Sequence, residues 1–530
     1  MNRPTETASP KRKRVPRSAS VPRPPAPDHE VVVIGAGFSG IAAGVKLTEA
    51  GLDDFVILEK SDGVGGTWRH NSYPGVAVDI PSFTYSFHFE PNPNWSRTFA
   101  PGSELLEYAE HCTDKYGIRD RMRFGCEVVE GRFDEAHQFW RLTLADGAEV
   151  SGRFLLSCHG VLNTPQTPSI PGLDSFEGRV IETMRWDHSH DLSGERVAVI
   201  GTGATAVQLI PAIAEQVGHL DVYQRTPIWV LPKPDPQIPG AAQFALAHIP
   251  FLQRSIRYYT TLACELLLVT AGLYHAQVPF LARGAEKLCR RHLRAQVDDP
   301  ELRAKLTPNY GFGCKRPSAS NSYYKTFTRP DVELVTASID EVLPNGIRTS
   351  DGVQREVDTL ILATGFKPFD VPYDLYGSDG RTLNQLWAED RHQAYQGSSV
   401  HGFPNMFLSP GPWGATGSSW FFTIDQVMVH AVRVIREARR RGATKVEVTR
   451  EASDRFEEDS RSKISGAVFV SSSCATSNSY YIDQHGEASY VRPSSGFEAW
   501  WAQRTFDLNH YDYDQVTPEP TSAVATEARG

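Results

Sequence analysis

A chain of 530 residues with 40 % hydrophobic and 22 % charged residues has the composition of a globular protein of two or three domains. Its net charge of −9 supplies no basic domain for a phosphate backbone, so no nucleic-acid partner is expected, the lesser alternative being a nuclear or nucleic-acid role for the basic run Lys11–Arg14. The seven cysteines, at 112, 126, 158, 264, 289, 314 and 474, form no Cys-x-x-Cys pair, so the expectation is free thiols in a reducing cytoplasm rather than a disulfide framework or a zinc site.

Residues 1–28 contain seven prolines and the basic run Lys11-Arg12-Lys13-Arg14, without the apolar core of a secretory signal. They predict a disordered tail. From Glu30, the run Glu30-Val31-Val32-Val33-Ile34 predicts a buried strand, followed by a Gly-rich turn, a helix to Gly51 and a second strand at Phe55–Leu58. The same order recurs at Val197–Ile200, with a helix near 204–216 and a strand near 220–224. Residues 235–308 read as a helical insertion. Within it, Leu266–Ala282 carries no formal charge but includes His275, Gln277 and Pro279, and is shorter than the ~20 residues of a membrane span. It predicts a buried or channel-lining helix, the lesser alternative being a surface patch that dips into a membrane. Strands follow at Val332–Val335 and Thr359–Leu362, helices at 423–441 and 451–462, and a second tail at 515–530.

The first turn is Gly35-Ala36-Gly37-Phe38-Ser39-Gly40. Its first glycine allows the tight turn, its second lets a pyrophosphate approach the backbone, and its third lets helix and strand pack closely. The phosphates then meet free N–H groups at the positive end of a helix. Glu59 follows Gly40 by 19 residues at a strand end, where a carboxylate holds ribose hydroxyls. The second turn is Gly201-Thr202-Gly203-Ala204-Thr205-Ala206, with alanine in the third glycine's place. Its acidic position is taken by Gln224-Arg225, which favours a 2′-phosphate and hence NADP over NAD. Two such turns imply an α/β protein in which one dinucleotide-binding domain interrupts another. Ala363-Thr364-Gly365, after the strand Thr359–Leu362, fits the return to the first.

The run Gly65-Gly66-Thr67-Trp68, continued to Tyr73-Pro74-Gly75 and closed by Asp79, fits every fixed position of the pattern [A/G]-G-x-W-x-x-x-x-[F/Y]-P-[G/M]-x-x-x-D. It resembles the class B flavin-dependent monooxygenases, in particular the Baeyer–Villiger monooxygenases. Ile80–Tyr85, Gln224-Arg225-Thr226, Gly313-Cys314-Lys315-Arg316-Pro317 and Ser409-Pro410-Gly411-Pro412 are similar to further family segments, so the resemblance spans roughly residues 29–515. One position departs from it. In the fingerprint F-x-G-x-x-x-H-x-x-x-W-[P/D], Phe176, Gly178, Trp186 and Asp187 stand in register, but Glu182 replaces the histidine. A carboxylate cannot donate as an imidazole does, which bears on the coupling of NADPH binding to domain motion.

The resemblance implies an FAD-binding domain over 29–154 and 363–514, an NADP-binding domain over 155–234 and 309–362, and the helical insertion between the latter two parts. It implies FAD at Gly35, Gly37, Gly40, Glu59, Gly66, Thr67, Trp68, Asp79, Tyr85 and Gly365, and NADPH at Gly201, Gly203, Ala204, Thr205, Arg225, Thr226, Lys315 and Arg316. NADPH reduces FAD, O2 adds to give a peroxyflavin, and a ketone becomes an ester or lactone. Arg316, always charged, is expected to stabilise the anionic oxygens, and Asp79 to orient it. The insertion and Ser477–Gly486 are expected to line the substrate pocket, with Tyr480 where many relatives carry tryptophan. Sulfur or nitrogen oxygenation and a non-catalytic flavin protein are the alternatives. A flavin disulfide reductase is excluded, because the cysteine nearest the first β-α-β unit is Cys112. No metal site is expected, and His188 and His190 read as solvated loop residues. Oligomeric state is open.

Overall fold

Runs of branched apolar residues become the inner strands of two sheets, one mixed and one all parallel, in the computed structural model, which describes residues 26–417 and 419–516. The first β-α-β unit is β1 (His29–Ile34), α1 (Phe38–Glu49) and β2 (Phe55–Leu58). β3 (Met122–Arg123), β4 (Val128–Asp134), β5 (Phe139–Leu144) and β6 (Glu149–Ser157) extend its sheet in the spatial order β4-β5-β6-β1-β2-β3. β1 runs parallel to both neighbours and is covered on both faces, which is why Val31, Val32 and Val33 are wholly buried.

The second sheet contains β7 (Arg179–Glu182), β8 (Arg196–Ile200), β9 (His219–Tyr223), β10 (Val332–Val335) and β11 (Thr359–Leu362), all parallel, in the order β10-β9-β8-β11-β7. α2 (Ala204–Ile213) follows β8. The chain then returns to the first sheet, where β12 (Asp374–Tyr376) pairs with β4 and β13 (Met406–Leu408) pairs with β6. β6 stays in the first sheet to Ser157, so the crossing falls after that residue and not at the expected 154/155 boundary.

The insertion holds α3 (Gly240–His248), α4 (Pro250–Cys264), α5 (Pro279–Arg294) and α6 (Pro300–Leu306). The uncharged stretch from Leu266 is not one helix. A π-helical turn at Glu265–Thr270 and a short helix at Ala271–Leu273 lead into a bend, and Pro279 starts the next helix because it has no N–H to continue the last one. Among the described residues no helix is long and apolar enough to cross a membrane.

Two later helices complete the first domain. α7 (Trp420–Arg441) buries Ile424, Val427, Met428, Ala431, Val434, Ile435 and Ala438, a 3.6-residue stripe against α1. It stops at Gly442 in the left-handed conformation, with Arg439–Arg441 in its last turn, as its negative end favours. α8 (Gly496–Thr505) packs on α7 and is opened by a capping box of Ser495 and Glu498. The expected tails, 1–28 and 515–530, lie mostly outside the described residues. Within them, Asp28 is tied to Ser151, and Gln515 donates to the Arg441 carbonyl.

The long motif is a domain junction. Tyr73 donates to Gln208 Oε1 of α2 at 3.0 Å, and Gln208 also accepts from Ala77 N–H and donates to the Ala77 carbonyl. Gly75 has a φ of +82°, and a Cβ there would stand 2.6 Å from the Gln208 carbonyl oxygen. Only glycine meets both conditions. Gly75→Ala is therefore expected to destabilise the fold by about 1–3 kcal/mol in urea unfolding. Tyr73→Phe, which deletes one buried hydrogen bond, should cost about 1 kcal/mol. A Gly75→Ala protein as stable as the parent would contradict this docking.

Candidate active site

At the first turn Gly35 has a φ of +101°, and a Cβ on Gly40 would overlap the Gly35 carbonyl oxygen. Glycine spacing thus locks β1, the turn and α1 together. No side chain caps α1, and no acid sits in its first turn, so its N–H groups face the crevice at the strand ends. Gly37 and Gly66 face each other, a Cβ on Gly66 reaching within 3.0 Å of Gly37 Cα, which leaves a bare backbone cradle for a pyrophosphate. Glu59 lies beside it, accepting from Ala36 N–H at 2.7 Å and Ser61 N–H at 2.8 Å. Trp68 meets Tyr85 edge-on at 5.7 Å, and Tyr85 meets Phe421 of α7 at 4.9 Å.

The second turn is more open. A Cβ on Gly201 would overlap the Ala363 carbonyl oxygen, whereas a Cβ on Gly203 would meet nothing within 4 Å. Ala204 and Thr205 begin α2, again uncapped and without an acid. Thr202 donates to the Thr226 carbonyl, and Asn478 donates to Thr226 Oγ1 at 3.2 Å, which brings the 477–486 loop to this site. Arg225 is exposed and adds its charge to that of Lys315. Among the described residues neither has a salt-bridge partner. Burial, together with Arg225, pushes the Lys315 ammonium down to about 8. Two cations facing no acid form a seat for a phosphate.

Arg316 lines a cleft and is paired there with Asp79. Arg316 Nε donates to Asp79 Oδ2 at 2.8 Å and Nη2 to Oδ1 at 2.9 Å, a fork-to-fork pair. Burial alone would raise the Asp79 carboxyl, but the Arg316 charge and hydrogen bonds hold it below its usual range. Burial also opposes the Arg316 cation, and Asp79 overrides it in the same way. Each still exposes about a quarter to a third of its side chain, 31 % for Arg316 and 27 % for Asp79. Among the described residues Arg316 Nη1 has no protein partner. The cleft spans about 590 Å³ with the open solvent at its entrance included, and its lining is apolar apart from Arg316 and Tyr481. Leu267, Val269 and Leu273 of the insertion form one wall; Phe312, Phe469 and Val491 form others. Tyr480 lies tilted against Tyr481, with ring centres 4.5 Å apart. Burial raises the Tyr480 and Tyr490 hydroxyls, so both stay neutral near Arg316.

Arg316 is positioned from both sides. Ser318-Ala319, just after it, pairs with Val230-Leu231. Cys314, just before it, is joined to Cys474 in a disulfide. This corrects the expectation of free thiols throughout: five cysteines are free, but these two meet across 160 residues, a pairing no local spacing reveals. His190 also departs from the loop reading, since it is half-buried and bonds Thr359 Oγ1 at 3.0 Å, while exposed His188 meets Ser72. Glu182 ends β7 where both domain crossings pass. Gln166 N–H donates to the Gly365 carbonyl, Thr364 Oγ1 donates to the Gln166 carbonyl, and Thr167 donates to Glu182 at 3.4 Å. Among the described residues His219, Asp221 and Glu333 form a group of metal-ligand spacing, but Arg355 bonds Glu333 and approaches Asp221, so a side-chain cation already balances it.

The pyridine nucleotide-disulphide oxidoreductase family description matches residues 32–240. A Baeyer-Villiger monooxygenase of Pseudomonas aeruginosa is 37 % identical over 515 residues, covering 96 % of this chain and 95 % of its own. One of Streptomyces coelicolor is 36 % identical over 502 residues, covering 94 % and 95 %. The crystal structure of OTEMO in complex with FAD and NADP superposes with a TM-score of 0.82 at 28 % identity, over 92 % of this chain and all of that one.

The phosphate seat has a pH signature. Lys315 keeps its proton below about pH 8 and loses it above, so affinity for a nucleotide 2′-phosphate should fall several-fold between about pH 7 and 9. Lys315→Arg, charged throughout, should flatten that profile. NADP titrations across this range decide it, and an affinity that is flat or rises in the parent protein would contradict the assignment.

Proposed function

The chain belongs to the Baeyer–Villiger monooxygenase family of FAD- and NADPH-dependent enzymes, and we propose that Arg316, oriented by Asp79, is the catalytic cation with which it places one oxygen atom of O2 beside the carbonyl of an apolar ketone. FAD and NADPH, when bound, supply the electrons and the activated oxygen, and the product is an ester or lactone.

FAD would be held by Gly35, Gly37 and Gly40 at its phosphates, Glu59 at its ribose, and Gly66, Thr67, Trp68 and Tyr85 further along the cleft. NADPH would lie on Gly201, Gly203, Ala204 and Thr205, with Arg225, Thr226 and Lys315 at the 2′-phosphate, while Gly365 at the crossing would stay with FAD.

The observation that carries the reading is the forked Asp79–Arg316 pair opening onto an apolar cleft. Asp79 occupies Nε and Nη2 and so fixes the guanidinium plane. Nη1 is left to donate to an oxygen that gains negative charge as a ketone carbonyl is attacked. In a dry, apolar surrounding such a donor is worth far more than in water. The walls at Leu267, Leu273, Phe312 and Phe469 exclude water and suit an apolar ketone. A cation that stays ionised at every working pH needs no proton of its own to give up, so it steadies the anion without quenching it.

Arg316→Ala should lower ester formation at least about a hundredfold, while NADPH still reduces bound FAD at a rate within a few-fold of the parent. Stopped-flow flavin absorbance and mass analysis of ketone products separate the two steps. Ester formation that survives the substitution would remove Arg316 from the chemistry.

A further inference from the structure

Helix α4 is amphipathic in the reverse of the usual sense. Its inward face is polar. Arg257 donates to the carbonyls of Phe83, Ser86 and Phe87 and to Ser86 Oγ, and Thr260 and Thr261 both meet Thr84. Its outward face carries Phe251, Leu252, Tyr258, Tyr259 and Leu262, continued by Leu266 in the π-helical turn. These recur at helical spacing along one side. Phe251 is 79 % exposed, Tyr259 67 % and Leu266 54 %. Further aromatics extend the patch. Gly496 N–H donates to Glu265 at 3.2 Å and Tyr274 donates to Glu498 at 3.4 Å, which holds the exposed Phe497 and Trp501 of α8 beside this turn. A monomer in water rarely leaves so many large apolar side chains together.

The charge of the segment that carries the patch identifies its occupant. Between Pro250 and Arg294 the chain has seven Arg or Lys residues and two Glu, in a protein whose net charge is −9. Arg283, Lys287, Arg291 and Arg294 form the exposed stripe of α5, which begins at the exposed Phe280. Among the described residues none of these four has a salt-bridge partner. Exposed aromatic and aliphatic side chains on one helix, with unpaired Arg and Lys on the next helix of the same insertion, are what an anionic bilayer surface attracts: the rings enter the headgroup region and the cations meet the lipid phosphates. A symmetric pairing of two copies through this face would bring two basic stripes to one interface.

We propose that the outward face of α4, with α8 and the basic stripe of α5, docks the protein on the surface of an anionic lipid bilayer without crossing it. Leu267 belongs both to this exposed face and to the wall of the cleft that holds Arg316. An apolar ketone dissolved in the bilayer would then reach the cleft along Leu267 without passing through water. That consequence rests on the reading of the cleft as the ketone site; the docking does not.

The test is flotation of the full-length, FAD-loaded protein with phosphatidylcholine vesicles, with and without phosphatidylglycerol. We expect at least about tenfold more protein to float with the anionic vesicles, and the gain to shrink at high salt. The variant Phe251→Ser/Tyr258→Ser/Leu262→Ser and the variant Arg283→Glu/Lys287→Glu/Arg291→Glu should each lose that gain. Both should keep ketone-dependent NADPH oxidation in buffer, because none of these residues lies at the cleft. No flotation of the parent protein, or equal flotation by the parent and both variants, would overturn the proposal. So would a parent dimer that becomes a monomer in the Ser variant while neither binds vesicles, since the face would then be a self-interface. Flotation by a protein that gives no ester would leave the docking standing and overturn the reading of the cleft alone.

Discussion

The ion pair between Asp79 and Arg316 is the constraint on which the rest of the site depends. It joins residues 237 positions apart, one closing the long motif of the first domain and one following the helical insertion in the second. A guanidinium about two-thirds shielded from water is stabilised by a partner carboxylate, so the meeting of the two parts of the chain here favours both charges. The surroundings serve that meeting. Tyr73, Gly75 and Ala77 clasp Gln208 of α2 and fix Asp79 against the second domain. Cys314 and the short pairing at Ser318-Ala319 fix Arg316 from its own side. The fifteen-residue motif is therefore as much a joint between domains as a cofactor contact.

Both domain crossings run side by side near Glu182. Gln166 and Thr364–Gly365 hold the two linkers together, and Glu182 accepts from Thr167 next to them. A carboxylate at this place can only accept, whereas the imidazole of the family fingerprint can donate as well. Any coupling through this chain's linkers must therefore use donors on Thr167 or the backbone. The two nucleotide turns differ in how closely they are packed. The first turn sits under Cys158 and against Gly66, while the second stays open beside Gly203.

What was legible in the sequence was local. The glycine spacings of both turns, the acid at Glu59 against Arg225 in its counterpart, and the apolar runs of β1 and β8 each follow from a few adjacent residues and their backbone geometry. The family motif added Asp79 and Arg316, which no periodicity would select. What was not legible depends on distant partners. The Cys314–Cys474 link spans 160 residues. Tyr481, which lines the cleft, is one of two adjacent tyrosines, and only packing tells it from Tyr480. The uncharged stretch after Glu265 read as one helix because composition does not show a π-turn. α4 was legible only as part of a helical insertion, because period alone does not say which face points inward. Its polar face points in because Thr84 and the carbonyls of Phe83, Ser86 and Phe87 are there to receive it.

The central claim is that Asp79 acts through Arg316 and not on its own account. A double-mutant cycle on ester formation tests this most directly, comparing Arg316→Ala, Asp79→Ala and the double variant, each loaded with FAD and saturated with NADPH. The account predicts that Asp79→Ala loses much of the rate in the parent and almost nothing more once Arg316 is gone, because its one role is to hold that guanidinium. Losses that simply multiply would contradict it, and would mean that the two residues serve separate steps.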